Sequence, residues 1–108
     1  MSLKTQKKME VIKMTNKIYL VSYDLKKPAT DYPGLYEILK NYPGWWHHLE
    51  STWLVATEDD AQKIWEKIEP HIDKNDSVLI IKINSSDRQG WLPKEAWKWI
   101  NENVGSEP

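Results

Sequence analysis

The chain has 108 residues, of which 40% are hydrophobic and 29% are charged, with a formal net charge of −1. This length suits a single domain, and the composition is that of a folded globular protein, which excludes a wholly disordered chain. The chain has no cysteine, which excludes a disulfide framework, a zinc–thiolate site and thiol catalysis. No apolar run approaches the roughly 20 residues of a membrane-spanning helix. The first residues lack the apolar stretch of a signal peptide, so we expect a cytoplasmic protein without a membrane partner.

Charge is unevenly distributed along the chain. Residues 1–17 hold five lysines and one glutamate, or +4, whereas residues 18–108 hold 10 basic and 15 acidic side chains, or −5. Nucleic acid is attracted by positive surfaces, so an acidic body would contact it only through a local patch or the basic terminus. We assign residues 1–16 to a basic N-terminal extension, residues 17–104 to a single domain and residues 105–108 to a C-terminal tail.

The first predicted element is a run of β-branched, aromatic and aliphatic residues that begins at Ile18 and ends at Asp24. Such a run predicts a buried central strand. Aspartate is depleted in strands, so a carboxylate at the end of one requires a reason. From the residues alone, Asp24 either caps the exit turn or accepts buried backbone hydrogen bonds, or it takes part in chemistry at the strand end.

A helix and a long extended segment are predicted next. Asp31 is the expected N-cap, Pro33 lies in the first turn, where a missing N–H costs nothing, and the helix is expected to end near Asn41. Its apolar positions are Leu35, Ile38, Leu39 and Tyr42. Residues 45–57 are predicted to be extended but are long for one strand, so we expect a bulge or a tight turn near Glu50 and Ser51.

The clearest amphipathic helix follows residues 57–60, whose pattern resembles a capping box with acids in the first turn. Its apolar positions are Ala61, Ile64, Trp65, Ile68 and Ile72. Pro70 is expected to end or kink this helix. Residues 77–83 then predict a second strand of the continuously buried kind. Pro93 opens a short helix that extends to Asn103, with Trp97, Ile100 and Val104 on one face.

This order of elements predicts an α+β fold, namely a ferredoxin-like βαββαβ sandwich with an antiparallel sheet and an extra C-terminal helix. A helical layer on one face would leave the other face uncovered, as a large apolar patch. Formation of a two-fold homodimer is the simplest way to cover this second face of the sheet. The seven tryptophans are expected mainly in the core or a dimer interface, with base stacking as the alternative.

Four segments, in order, resemble the CRISPR-associated protein two superfamily, and most of all its stand-alone branch, often labelled SinR-like. The segments are YLVSYDL at residues 19–25, WHHLESTW at residues 46–53, NDSV at residues 75–78 and GWLP at residues 90–93. The resemblance covers residues 17–104. It implies a ferredoxin-like fold, a symmetric dimer and, in some members, metal-dependent cleavage of phosphodiester bonds in DNA or RNA.

The resemblance also implies a catalytic position, which falls on Asp24. Two such carboxylates, one from each subunit, would face each other across the dimer cleft and share Mg²⁺ or Mn²⁺. A hard cation of this kind prefers carboxylate oxygens and can polarise a phosphoryl oxygen or activate water. Where nuclease members commonly carry an arginine, this chain has Lys26 and Lys27, and lysine is a point charge without the bidentate fork of arginine.

Four side chains near Asp24 are candidate nucleic-acid contacts. Lys26 and Lys27 would contact phosphate or else form a solvated loop. Ser51 and Thr52 would contact phosphate, support Asp24 from a neighbouring strand, or else be ordinary strand residues near a bulge. We therefore expect a dimer that binds nucleic acid or acts as a metal-dependent endonuclease. The alternative is a non-catalytic dimeric scaffold for a protein partner, or a toxin–antitoxin-like component.

The adjacent histidines His47 and His48 are weaker candidates for metal ligands. Neighbouring side chains in a strand point to opposite faces of the sheet, so His47 and His48 cannot coordinate the same ion. We expect instead a half-buried histidine with its hydrogen bonds satisfied, or one at the dimer interface.

Overall fold

The computed structural model describes residues 16–28 and 31–105. Most of the assigned N-terminal extension and the end of the C-terminal tail therefore lie outside the described residues. None of the helices in the described part is long and apolar enough to cross a membrane. The elements in chain order are β1 (Lys17–Asp24), α1 (Pro33–Lys40), β2 (Gly44–Leu49), β3 (Thr52–Thr57), α2 (Ala61–Ile68), a 3₁₀ turn (Glu69–His71), β4 (Ser77–Ile83) and α3 (Lys94–Asn103).

The four strands form one sheet in the order β2-β3-β1-β4, and every neighbouring pair is antiparallel. The predicted ferredoxin-like α+β fold with an extra C-terminal helix is confirmed. β1 is central, as its apolar sequence predicted. The expected break in the long extended segment is also present, since Glu50 and Ser51 form the turn between β2 and β3 and the pairing register shifts between Trp46 and Leu49.

Helices α1 and α2 cover the first face of the sheet. Alternate residues of β1 point toward them, because side chains alternate between the two faces of a strand. The predicted helical spacings are confirmed by the burial of Leu35 and Leu39 in α1 and of Ile64 and Ile68 in α2. This first core also includes Tyr19, Val21, Tyr23, Tyr32, Tyr42, Trp53 and Val55.

The two helices on the first face begin differently. The Asp60 side chain caps α2 by accepting a hydrogen bond from the Lys63 N–H at 2.9 Å. The prediction that Asp31 caps α1 was wrong, since Tyr32 holds the N-cap position and, among the described residues, no side chain caps that helix. Pro33 occupies the first helical position, so the residue before it must be the N-cap, and Tyr32 is placed there by burial of its ring.

Helix α3 packs across the second face of the sheet. Its residues Ala96 and Ile100, with Val104 just beyond it, form a second core with Ile18, Trp46, Leu54 and Ala56. The Trp46 Nε1–H donates a hydrogen bond to the Ala96 carbonyl oxygen at 3.0 Å inside this core. The prediction that the chain's own helices leave this face uncovered was therefore wrong for the half nearest α3.

The other half of the second face remains exposed. Leu49, Leu79 and Ile81 are 48%, 56% and 49% exposed, and Leu20 beside them is half-buried. We call these four residues the open patch. The prediction that β4 is buried on both sides was wrong, because it is an edge strand whose Leu79 and Ile81 face this uncovered half while Val78 and Ile80 pack against the first core.

Candidate site at the end of the first strand

Asp24 is the last residue of β1 and lies opposite Ser77 of β4 in the strand register. Because side chains alternate along a strand, Asp24 shares the second face with Leu20 of the open patch and lies at the rim of that patch. The residue is exposed, so its carboxylate is not a buried acceptor. Within residues 16–28 and 31–105, no hydrogen bond or ion pair engages this carboxylate.

Ser51 and Thr52 lie beside the end of β1, on the neighbouring strand and its turn. Thr52 is opposite Ser22 in the register, and the two hydroxyl oxygens are 3.2 Å apart. The Ser51 carbonyl oxygen accepts a hydrogen bond from the Tyr23 N–H at 3.0 Å, and the residue is exposed. Each hydroxyl offers one donor and two acceptor lone pairs, so hydrogen-bonding capacity remains for a ligand at the strand end.

Lys26 and Lys27 lie in the loop that leaves β1, and both are exposed. The Lys27 Nζ atom lies 3.4 Å from a carboxylate oxygen of Asp73, and both side chains of this pair are largely solvated. Solvated ion pairs of this kind contribute little, typically about 0–1 kcal/mol. The pair is therefore weak enough for a phosphate to compete for Lys27.

The Asp76 carboxylate fixes the direction of this loop. It accepts hydrogen bonds from the Lys26 N–H at 2.8 Å, the Asp73 N–H at 2.8 Å and the Tyr32 hydroxyl at 3.2 Å. Desolvation of Asp76 raises the pKa of its carboxyl, but these three donors together outweigh that effect and hold the pKa below its ordinary value. Aspartates at turns often accept hydrogen bonds from nearby backbone N–H groups, as Asp76 does from Asp73, but its bond to the Lys26 N–H joins distant parts of the chain.

An aromatic network supports the end of β1 from the first face. The Trp53 Nε1–H donates to the Tyr23 hydroxyl at 2.9 Å, and that hydroxyl donates to the Tyr36 hydroxyl at 3.3 Å. Burial raises the pKa of the Tyr23 hydroxyl, and the hydrogen bond to Tyr36 raises it further. Tyr23 therefore stays protonated at neutral pH and holds the strand end in a fixed position directly before Asp24.

The two histidines lie on opposite sides of the sheet, as predicted. The half-buried His47 stacks on Trp53 with ring centroids 3.9 Å apart, and its Nε2 lies 3.0 Å from the Glu50 carbonyl oxygen. His48 is exposed on the other side, near the Trp46 ring. Within the described part of the chain, no three histidine, aspartate or glutamate side chains lie close enough together to hold a metal ion.

Comparisons of the chain with protein-family models, with curated proteins and with solved structures found no match. Membership of the CRISPR-associated protein two superfamily therefore stays a prediction that rests on the four segments. The geometry of this chain alone brings Asp24, Ser51 and Thr52 to one end of the sheet, with Lys26 and Lys27 in the adjoining loop.

Proposed function

We propose that this protein is a homodimer of the CRISPR-associated protein two superfamily that binds nucleic acid and cleaves its phosphodiester bonds at the dimer cleft. In this proposal the Asp24 carboxylates of the two subunits hold one Mg²⁺ or Mn²⁺ ion. The observation that carries it is the exposed Asp24 carboxylate, without a partner among the described residues, at the rim of the open patch.

The open patch supports the dimer. Exposed apolar surface beside polar residues is typical of protein–protein interaction sites, and here four aliphatic side chains share one sheet face, with Leu20 opposite Ile81 in the register. In a two-fold dimer both subunits use the same surface. Asp24 lies on the same face as the patch, so a two-fold axis that passes near the end of β1 would bring the two carboxylates together.

The donor set suits a hard cation. Mg²⁺ is commonly held by one or two carboxylates and keeps several of its waters, and the two Asp24 side chains of a dimer would supply that number. Such an ion would polarise a phosphoryl oxygen and activate water. The Lys26 and Lys27 ammonium groups would bind phosphate oxygens, and the hydroxyls of Ser51 and Thr52 would donate hydrogen bonds to the bound strand.

A second candidate function is a non-catalytic dimeric scaffold for a protein partner. One observation favours it. Residues 18–108 carry a charge of −5, which repels a nucleic-acid backbone. In this case Asp24 would have no chemical role, and the exposed aromatic side chains would serve protein contacts.

A cleavage assay separates the two candidates. Wild type, Asp24→Asn and the control Asp31→Asn are incubated with single- and double-stranded DNA and RNA in Mg²⁺, Mn²⁺ or chelator. Asp31 is an exposed carboxylate in the same loop region, so both variants remove the same charge. We expect wild type and Asp31→Asn to cleave one substrate class with metal, and Asp24→Asn to be slower by more than about 100-fold.

Two results would contradict the catalytic proposal. Metal-dependent cleavage that persists in Asp24→Asn would exclude Asp24 as the metal ligand. A dimeric wild-type protein that cleaves none of the substrates would favour the scaffold.

A further inference from the structure

An apolar groove of about 310 Å³ lies between the second face of the sheet, residues 84–92 and α3. It continues the open patch, because Leu20 and Leu49 belong to both. The groove is large enough for a side chain from another molecule. Its main apolar lining residues are Leu20, Trp46, Leu49, Leu54, Leu92 and Ile100.

Trp91 lies in the segment that forms one wall of this groove and is 100% exposed. It directly precedes the groove residue Leu92, yet its own indole does not line the groove. In contrast, Trp46 and Trp53 are 3% and 0% exposed. The second face thus carries a fully solvated indole next to an apolar groove that this indole does not fill.

We propose that, in the homodimer, Trp91 of each copy inserts into the groove of the other copy. This inference rests on the proposed dimer and names the contact that holds it together. In a two-fold interface each copy contributes the same surface, so a protruding residue and its receiving groove must both lie on that surface. The segment that carries Trp91 lies on the second face, because the adjacent Leu92 packs against the second core and lines the groove.

The area of an indole supports a second copy as the occupant. A stable dimer buries about 800 Å² on each copy, and a tryptophan that becomes covered contributes up to about 250 Å². Trp91 would therefore supply a substantial share of the interface. The exposed Leu79 and Ile81 of the adjoining open patch would add to it.

Arg88 makes the groove suited to an aromatic side chain. Its guanidinium donates hydrogen bonds to the Ser85 and Val104 carbonyl oxygens at 3.1 and 3.2 Å, and to the Asn101 side-chain oxygen at 3.4 Å. A guanidinium held in this way at the wall of the groove attracts the face of an aromatic ring. Among the aromatic side chains, tryptophan attracts a cation most strongly. An aliphatic side chain would gain only from the apolar part of the lining.

The first test is the molar mass in solution, measured by light scattering over a range of concentrations. We expect a dimer for wild type and, for Trp91→Ala, a dimer dissociation constant raised by more than about 100-fold, since both copies lose a central tryptophan contact. The control Trp65→Ala removes an exposed tryptophan from α2, which packs on the other face of the sheet. This control should dimerise like wild type.

A mixing experiment tests whether Trp91 and the groove meet each other. Leu49→Arg should block the groove. Because Leu49 is 48% exposed, this substitution should leave the fold intact. Neither Trp91→Ala nor Leu49→Arg alone should dimerise at micromolar concentration. In an equimolar mixture, the intact groove of the first variant can receive the intact Trp91 of the second. We therefore expect a heterodimer in the mixture.

The possible results have distinct meanings. Trp91→Ala that dimerises like wild type, or a mixture that stays monomeric, would overturn the Trp91 contact and leave the dimer itself standing. A wild-type protein that is monomeric at micromolar concentration would overturn the proposed dimer, and this inference with it. A Trp91-dependent dimer without cleavage would support the contact and reject only the catalytic proposal.

Discussion

Replacement of Trp53 by alanine is expected to lower the free energy of unfolding by about 4 kcal/mol. Trp53 lies on β3 and is fully buried between the sheet and the first-face helices. Its indole N–H holds the Tyr23 hydroxyl, and the rings of His47 and Tyr36 pack on it at centroid distances of 3.9 and 5.4 Å. Truncation to alanine leaves a cavity at this point and removes the donor to Tyr23.

This loss is large compared with the total stability of a domain of this size, about 5–15 kcal/mol. Urea denaturation followed by far-ultraviolet circular dichroism measures it. Trp65→Ala is the matched control, since Trp65 is 38% exposed and its loss should cost no more than about 1 kcal/mol. A Trp53→Ala protein with an unfolding free energy within 1 kcal/mol of wild type would contradict the packing described for the first core.

Replacement of Ile100 by aspartate is expected to undock α3 from the sheet. Ile100 is 8% exposed and packs against the second face, where an unpaired carboxylate would be costly to bury. We expect the free energy of unfolding to fall by about 3 kcal/mol. The fall is limited to the free energy of docking α3, because the helix can leave the sheet instead of burying the carboxylate. The released face would expose Ile18, Trp46 and Leu54.

Hydrogen exchange, measured residue by residue, tests this prediction. In Ile100→Asp the amides of α3 should lose protection while those of β1 and β3 keep it. Lys98→Asp introduces the same residue at an exposed position of the same helix, and it should leave the protection of α3 close to that of wild type. Unchanged protection of α3 in Ile100→Asp would show that the second core does not depend on this contact.

Local patterns in the sequence were sufficient to predict the elements of the fold. The apolar run that begins at Ile18 predicted a central strand, and the helical spacing of Ile64 and Ile68 predicted the buried side of α2. These predictions succeed because side-chain periodicity is a property of each segment by itself. The turn at Glu50 and Ser51 followed from a limit on strand length in the same way.

The N-cap of α1 was a local error, whereas the errors about the burial of the sheet faces concern contacts between distant segments. The apolar sequence of β4 predicted burial on both sides, but α3 packs against Ile83 and leaves Leu79 and Ile81 exposed. The reach of a helix across a sheet depends on the path of residues 84–93, which periodicity does not describe. For the same reason the full exposure of Trp91 could not be predicted from its neighbours in the sequence.

The candidate site was predicted in part. The strand register places Ser51 and Thr52 beside the end of β1, and their contact with nucleic acid stays a prediction. The role of Asp76 was missed, because its bond to the Lys26 N–H joins residues fifty positions apart, and only the folded chain brings them together. This bond sets the direction of the loop that carries both candidate lysines.

The number of Mn²⁺ ions bound per chain tests the central proposal most directly. Titration of the wild-type protein with Mn²⁺, followed by electron paramagnetic resonance, should saturate at one ion for every two chains, and Asp24→Asn should bind none at the same concentrations. This result follows if two Asp24 carboxylates share one ion across the dimer. Saturation at one ion per chain, or binding that Asp24→Asn leaves unchanged, would contradict the proposal.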